Sequence, residues 1–215
     1  SERNQFAHQI FIGKDEIGRI IARPFLGDSG NYTRTTNRKD YAISPPKDTI
    51  MDLLKRSGIN TIAIGKINDL FNHRGITHPV KSKSNAQGID EVIKSIKNFN
   101  NSFIFVNLVD FDVYFGHRND PQGFADALKY FDGKLPEILD ALDSDDVLII
   151  TADHGNDPTT PSTDHSREYI PLIYFQKGKN GLDLGIRETF SDIGKSAAAF
   201  FSIRNQLNGK SFLQK

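Results

Sequence analysis

The chain has 215 residues, 27 lysines and arginines against 27 aspartates and glutamates, and no cysteine. That length suits one large α/β domain, or one domain plus part of another, while the balanced charge supplies no global field to draw in nucleic acid or an anionic membrane. The missing cysteines exclude disulfides and thiolate metal sites and fit a cytoplasmic protein, and no apolar stretch approaches the roughly 20 residues of a membrane span.

Ser1 opens a polar run with no initiator Met and no positively charged leader before an apolar stretch, so the chain is expected to lack an N-terminal segment. Residues 1–44 are short strand-like pieces broken by glycine. The clearest covers 19–25, and the run 27–31 (GDSGN) predicts a turn. The composition changes at Ser44-Pro45-Pro46, where proline restricts the residue before it and marks a domain boundary. From Lys47 onward helix and strand alternate. A helix over 47–57 puts Ile50, Leu53 and Leu54 on one face and ends at Gly58. A short buried strand follows at 61–65 (TIAIG), then a helix over 88–98 with Ile89, Val92, Ile93 and Ile96 in register. Residues 102–109 (SFIFVNLV) predict a strand. Residues 122–142 predict a long helix with Phe124, Leu128, Phe131, Leu135, Ile138 and Leu142 at three- and four-residue steps. Strands at 147–151 and 170–175 and a closing helix at 191–201 complete the pattern. The alternation predicts an α/β fold with a mainly parallel sheet flanked by helices, and strands 61–65, 102–109 and 147–151 in one sheet.

In such sheets ligands sit at the carboxyl ends of the strands. The chemistry-bearing residues of this chain fall there. After 102–109 comes DFDVYFGH, ending at His117; after 147–151 comes DHGND, residues 153–157; shortly downstream is TDHSRE, residues 163–168. Three of the six histidines thus follow predicted strands, each with carboxylates nearby. Carboxylate and imidazole together suit Zn²⁺ or Mn²⁺ better than ions that prefer all-oxygen shells. Five or six such ligands are enough for most of two sites, and two ions a few ångströms apart would clamp a phosphoryl group. His8, His73 and His78 lack this setting and read as surface or loop histidines. Arg19, Arg23, Arg34 and Arg38 lie in the glycine-broken N-terminal stretch, and Lys66 follows the strand at 61–65. Guanidinium forks and a lysine point charge both suit phosphate, though each alone is also ordinary for a solvated surface.

At these residues the sequence resembles the phosphopentomutase family of the alkaline phosphatase superfamily. The matching stretches are GRIIARPF (18–25), NYTRTTNRKDYA (31–42), AIGKINDLF (63–71), KSKSNAQGID (81–90), NLVDFDVYFGHRNDPQGFADAL (107–128), LIITADHGNDP (148–158) and TDHSREYIPLIYF (163–175). The resemblance runs from about Gly18 to the C-terminus. DFDxxxxGHR and the pair TADHGNDP…TDHSREY are its specific parts.

The resemblance implies an alkaline phosphatase-like core. Residues 1–44 would be the C-terminal remnant of a smaller α+β cap domain and 45–215 the larger part of the metal-binding catalytic core. It implies two divalent ions, Mn²⁺ by preference: Asp112, His117 and His165 would hold one, Asp153 and His154 the other. Arg19 and Ile21 would line the sugar-phosphate site, and Arg34 and Lys66 would help grip phosphate. The implied reaction interconverts (deoxy)ribose 1-phosphate and 5-phosphate through a phosphorylated threonine, primed by a bisphosphorylated sugar activator. That threonine and one aspartate ligand belong to the family's N-terminal part and have no matching position here, so this chain alone is expected to be inactive. Two other readings remain open: a metal-dependent phosphatase or phosphodiesterase of the same superfamily, and a non-catalytic fragment that binds metal and phosphosugar.

Overall fold

The computed structural model describes residues 17–35 and 39–213. Its N-terminal part is a nest of antiparallel pairs. Strand β1 (Arg19–Ala22) pairs with β4 (Lys39–Ala42), and between them β2 (Phe25–Leu26) pairs with β3 (Thr33–Arg34). The turn expected at 27–31 joins β2 to β3 and is closed by the Asn31 N–H donating to the Asp28 carbonyl at 2.9 Å.

Helix α1 (Ile50–Arg56) starts where Asp52, in its first turn, accepts from the Thr49 N–H at 2.7 Å and hydroxyl at 2.9 Å. The same carboxylate accepts from Arg74 Nε at 2.9 Å. Strand β5 (Asn60–Ile64) is the centre of a parallel three-stranded sheet, with β6 (His78–Val80) on one side and β7 (Ser102–Val106) on the other. Successive β5 side chains point to opposite faces, and the packing follows that alternation. Ala63 joins Met51 of α1, Ile67 and Ile76 in one cluster, whereas Ile62 and Ile64 join Val92 in another. Ile67 belongs to the short helix α2 (Ile67–Leu70), and Val92 to α3 (Asn85–Asn98). The sheet therefore carries α1 and α2 on one face and α3 on the other. This is where the core is complete: Met51, Leu54, Ile62, Ala63 and Ile64 are fully buried.

His78 corrects the sequence reading. It is a residue of β6, with its ring 4.6 Å from that of Phe99 and its Nδ1 2.8 Å from the Thr77 hydroxyl. A three-residue strand containing proline leaves too little periodicity to be seen in advance. His73 is a loop histidine as expected, its Nδ1 accepting from the Asn68 amide at 2.6 Å, and His8 lies outside the described residues, as does Arg38.

Strand β7 stops at Val106, three residues short of the expected end, because residues 107–110 turn away at the sheet's carboxyl edge. A widened turn of π type (Phe111–Phe115) and a 3₁₀ turn (Gly116–Arg118) follow. Helix α4 (Pro121–Ala141) begins with proline in its first turn and an Asp120 cap that accepts from the Gly123 N–H at 2.9 Å. Of its apolar stripe only Ile138, together with Leu142 just past the helix end, is buried; Leu128 is exposed.

Strand β8 (Leu148–Thr151) pairs antiparallel with β9 (Leu172–Phe175) in a sheet of their own. The expectation that 147–151 shares a sheet with 61–65 and 102–109 is therefore corrected. The main chain of β8 meets that of β9, which returns after the long loop 152–171, and no ladder joins β8 to β7 among the described residues. The α/β class with a parallel sheet and flanking helices stands. Helix α5 (Ser191–Phe200) packs on α1, and no helix among the described residues is long and apolar enough to cross a membrane.

Candidate metal centre

Two loops build the centre, one after β7 and one after β8. In the first, the widened turn presents Asp112 and the 3₁₀ turn presents His117. Asn119 ends this segment in the left-handed conformation, φ 50°, which asparagine tolerates better than most residues. Its amide donates to the carbonyls of Thr160 and Ser162, tying the first loop to the second.

The second loop folds back on itself. Gly155 and Ser166 form an isolated antiparallel bridge, with the Ser166 N–H on the Gly155 carbonyl at 3.0 Å, and the Asp157 N–H donates to the Ser166 hydroxyl at 2.8 Å. The bridge brings His154 and His165 side by side. A Cβ on Gly155 would lie 2.6 Å from the Ser166 carbonyl oxygen, so the crossing needs glycine. Asp157 braces the turn by accepting from the Thr159 hydroxyl and N–H, and these bonds lower its carboxyl below the ordinary range.

The side chains then converge. Asp112 Oδ1 lies 3.4 Å from His117 Nε2 and 3.3 Å from His165 Nε2, and one donor atom from each of the three residues falls within 4.8 Å of the others. The three imidazoles form a column: His117 stacks on His165 at 4.9 Å between centroids, and His165 on His154 at 3.7 Å with 16° between planes. Asp153 Oδ2 is 3.7 Å from His154 Nε2, with most of its side chain exposed. The Asn156 amide donates to Asp112 Oδ1 at 2.6 Å.

The hydrogen bonds also assign a tautomer. His117 Nδ1 is 2.6 Å from the Thr163 carbonyl oxygen. A carbonyl can only accept, so Nδ1 carries a proton, and in the neutral ring Nε2 turns a lone pair toward the Asp112 carboxylate. Two electron-rich atoms 3.4 Å apart repel unless a cation or a proton lies between them.

The sequence-predicted residues divide into two groups. Asp112, His117, Asp153, His154 and His165 are gathered on the two loops. Lys66 sits two residues past the end of β5, at the carboxyl edge of the parallel sheet, while Arg19 and Ile21 are positions of β1 and Arg34 of β3, in the antiparallel N-terminal part. Sequence reasoning missed Asn156, Asn119 and the Thr163 carbonyl. An amide and a carbonyl are neither ligand nor charge by type, although an asparagine inside DHGND and another directly after GHR were there to be noticed. Gly116 was overlooked too: a Cβ there would come within 2.5 Å of all three outer atoms of the Asn156 amide, so only glycine lets that amide reach Asp112.

Comparison with known proteins places these loops in context. Residues 11–205 match the family described as Metalloenzyme superfamily. The chain is 50% identical over 209 residues to a phosphopentomutase of Clostridium kluyveri and 51% identical over 210 residues to one of Dictyoglomus thermophilum. Each match covers 97% of this chain and 54% of the relative, so the chain spans about half the length of the curated relatives it matches. Among solved structures, Leishmania mexicana phosphoglycerate mutase is similar with a TM-score of 0.58 at 18% identity, over 75% of this chain and 38% of that one. That likeness speaks for the fold alone.

Proposed function

We propose that this chain, which belongs to the metalloenzyme superfamily, is the metal-binding part of a phosphopentomutase, moving phosphate between O1 and O5 of ribose or deoxyribose. The observation that carries the reading is the convergence of Asp112, His117 and His165 on one point, beside the stacked ring of His154. The residues fit a metal ion. Four ligands about 2.0–2.1 Å from a common centre stand roughly 3.4 Å apart, which is the spacing of Asp112 Oδ1 from the two Nε2 atoms. The mixed carboxylate and imidazole set favours Mn²⁺ or Zn²⁺, and Mn²⁺ is the ion the resemblance implies. Asp153 and His154 are assigned to a second ion, short of one aspartate in this chain.

Divalent ions held there supply positive charge beside a transferring phosphoryl group. The chain's own residues prepare the place. Thr163 holds His117 in the tautomer with a free Nε2 lone pair, and Asn156 fixes the rotation of the Asp112 carboxylate. Arg19 and Ile21 are assigned to the sugar phosphate, and Arg34 and Lys66 to its remote phosphate oxygens, which a guanidinium fork and an ammonium bind well. On this reading residues 1–44 are the end of a cap domain and 45–215 the larger part of the core. The threonine that carries phosphate between the two transfers is, on the same reading, not among this chain's residues. The ligand is a small sugar phosphate, a bisphosphorylated sugar primes the enzyme, and the setting is the cytoplasm.

A coupled mutase assay with Mn²⁺ and a bisphosphorylated activator tests this. A chain extended to the relatives' full length should interconvert the two sugar phosphates, and the 215-residue chain should not. Turnover by the short chain, with its mass excluding anything upstream, would contradict the proposed nucleophile. Release of inorganic phosphate without isomerisation would favour a phosphatase.

A further inference from the structure

The stretch KSKSNAQGID is used by neither loop of the centre, yet it touches the first of them at its root. Ser84 caps α3, its hydroxyl accepting from the Gln87 N–H at 3.2 Å, and Asn85 is the helix's first residue. Asn85 and Asp110 clasp each other. The Asn85 N–H donates to Asp110 Oδ2 at 2.7 Å, and the Asp110 N–H donates to Asn85 Oδ1 at 2.9 Å. The start of a 14-residue helix is a favourable place for that carboxylate.

The clasp sits where the chain leaves the sheet. The Asn107 N–H donates to the Ile64 carbonyl at 3.2 Å, which is the last main-chain bond of residues 107–110 to β5. The Val113 N–H, bonded to the Val109 carbonyl at 3.0 Å, is already part of the widened turn. Between these points the exit direction is held by Asn85 on Asp110, two residues before Asp112. The first turn of α3 presses on the same segment, since a Cβ on Gly88 would come 3.0 Å from Leu108 Cδ2. Asn85 is 7% exposed, and its Nδ2 has no partner among the described residues. An apolar residue there would avoid that unpaired donor, but it would also lose the acceptor for the Asp110 N–H.

We propose that Asn85 is a positioning residue for the metal centre: through its reciprocal clasp with Asp110 it aims the turn that presents Asp112 and His117. The inference rests on the metal reading above. It assigns Asn85 no contact with metal or substrate.

Titration of the 215-residue chain with Co²⁺ alone, followed by visible absorption, tests it. Asn85→Ala should raise the Kd for Co²⁺ by about 10–100-fold and alter the absorption band, as removal of a supporting partner does at metal sites. Asp110→Asn keeps an acceptor for the Asn85 N–H and should leave binding and spectrum near normal. Ser196→Ala, which breaks equally buried hydrogen bonds on α5, should lower Tm without moving the Kd. Asp112→Ala should abolish binding at this centre. If Asp112→Ala abolishes binding while folded Asn85→Ala keeps the normal Kd and spectrum, the positioning role is wrong and the metal reading survives. If Asp112→Ala leaves Co²⁺ binding intact, the metal reading falls and takes this inference with it. Should Asn85→Ala fail to fold by circular dichroism, Asn85→Leu fills the same space without the acceptor for the Asp110 N–H, and its Kd and spectrum decide between the same two outcomes.

Discussion

Strands β5 and β8 are both short and mostly apolar, NTIAI and LIIT, and their surroundings differ completely. Strand β5 has a parallel neighbour on each side and helices on both faces, and every residue from Thr61 to Ile64 is fully buried. Among the described residues strand β8 has one antiparallel neighbour, and none of its residues is buried. The apolar positions around it share that condition, with Ile173 of β9 and Leu128 of α4 about half exposed. The β5 side holds most of the packing, whereas the loop after β8 contributes three of the five residues assigned to metal. Stability and chemistry are therefore carried by different parts of this chain, and substitutions should separate them.

The largest effect is expected on the chemical side. In a chain extended to the relatives' full length, Asp153→Ala or His154→Ala should lower kcat by about 10²–10³-fold if, as proposed, each helps stabilise charge that develops in the transition state. Lys66→Ala should be milder and appear partly in KM, since a remote phosphate contact helps ground and transition states alike. None of these three substitutions should shift Tm as much as one in β5. A large loss of stability in His154→Ala would break the separation.

On the packing side, Ile62→Ala should cost about 2–5 kcal/mol, the range for truncating a fully buried aliphatic side chain. Ile149→Ala, in the half-covered β8, should cost about 1 kcal/mol. Urea unfolding of both variants reads the contrast directly. Amide hydrogen exchange sharpens it: β5 amides should exchange slowest, and β8 amides faster. Extension of the chain to the relatives' length should slow β8 and leave β5 unchanged. Equal protection of the two strands in the 215-residue chain would mean that the exposed faces of β8 do not weaken it.

The same contrast explains what could be read in the sequence. Helices α3, α4 and α5 and strand β5 announce themselves by periodicity and apolar runs, and the histidines announce themselves by residue type after a strand. What escaped depends on contacts far apart along the chain. The partner of β8 is decided by a loop that brings β9 back beside it, and nothing within LIIT distinguishes a parallel neighbour from an antiparallel one. Strand β6 is visible only through its register with β5, Ile62 opposite His78. Asn156 matters because Gly116, forty residues earlier, leaves room for its amide. The candidate ligand set could be picked out by residue type, because metal chemistry selects carboxylates and imidazoles. Its supports could not, because hydrogen bonds to amides and carbonyls can come from almost anywhere.

Gly116→Ala probes one such support with a smaller effect. The added methyl must displace the Asn156 amide, so Asp112 loses its orienting hydrogen bond, and the Kd for Mn²⁺ should rise by about tenfold while β5 exchange is unchanged. Isothermal titration with Mn²⁺ measures it. An unchanged Kd would show that Asp112 is oriented well enough without Asn156.

The smallest effect lies on the packing side and depends on pH. Asp192, at the start of α5, is buried and accepts from Arg187 Nε at 2.7 Å and from the Lys210 N–H at 2.8 Å, which docks the C-terminal segment. Burial alone would push this carboxyl up, but the Lys210 N–H and the Arg187 guanidinium hold it below the ordinary range. The unfolded chain titrates it near the usual value of about 3.9. A folded value lower than that means the ionised group stabilises the fold fully above the unfolded value, and the contribution is lost as pH falls through the folded one. Asp192→Asn keeps an acceptor for the Lys210 N–H and removes the charge facing Arg187. Its Tm should therefore lie below that of the unsubstituted chain near neutral pH, and the gap should close on acidification below about pH 4. Thermal melts of both proteins across that range decide the matter. A gap that persists at low pH would mean that shape rather than charge docks the segment. Because the Asp192 carboxylate is bonded to Arg187 and the Lys210 N–H and to neither loop of the centre among the described residues, Mn²⁺ affinity at neutral pH should be the same in both proteins.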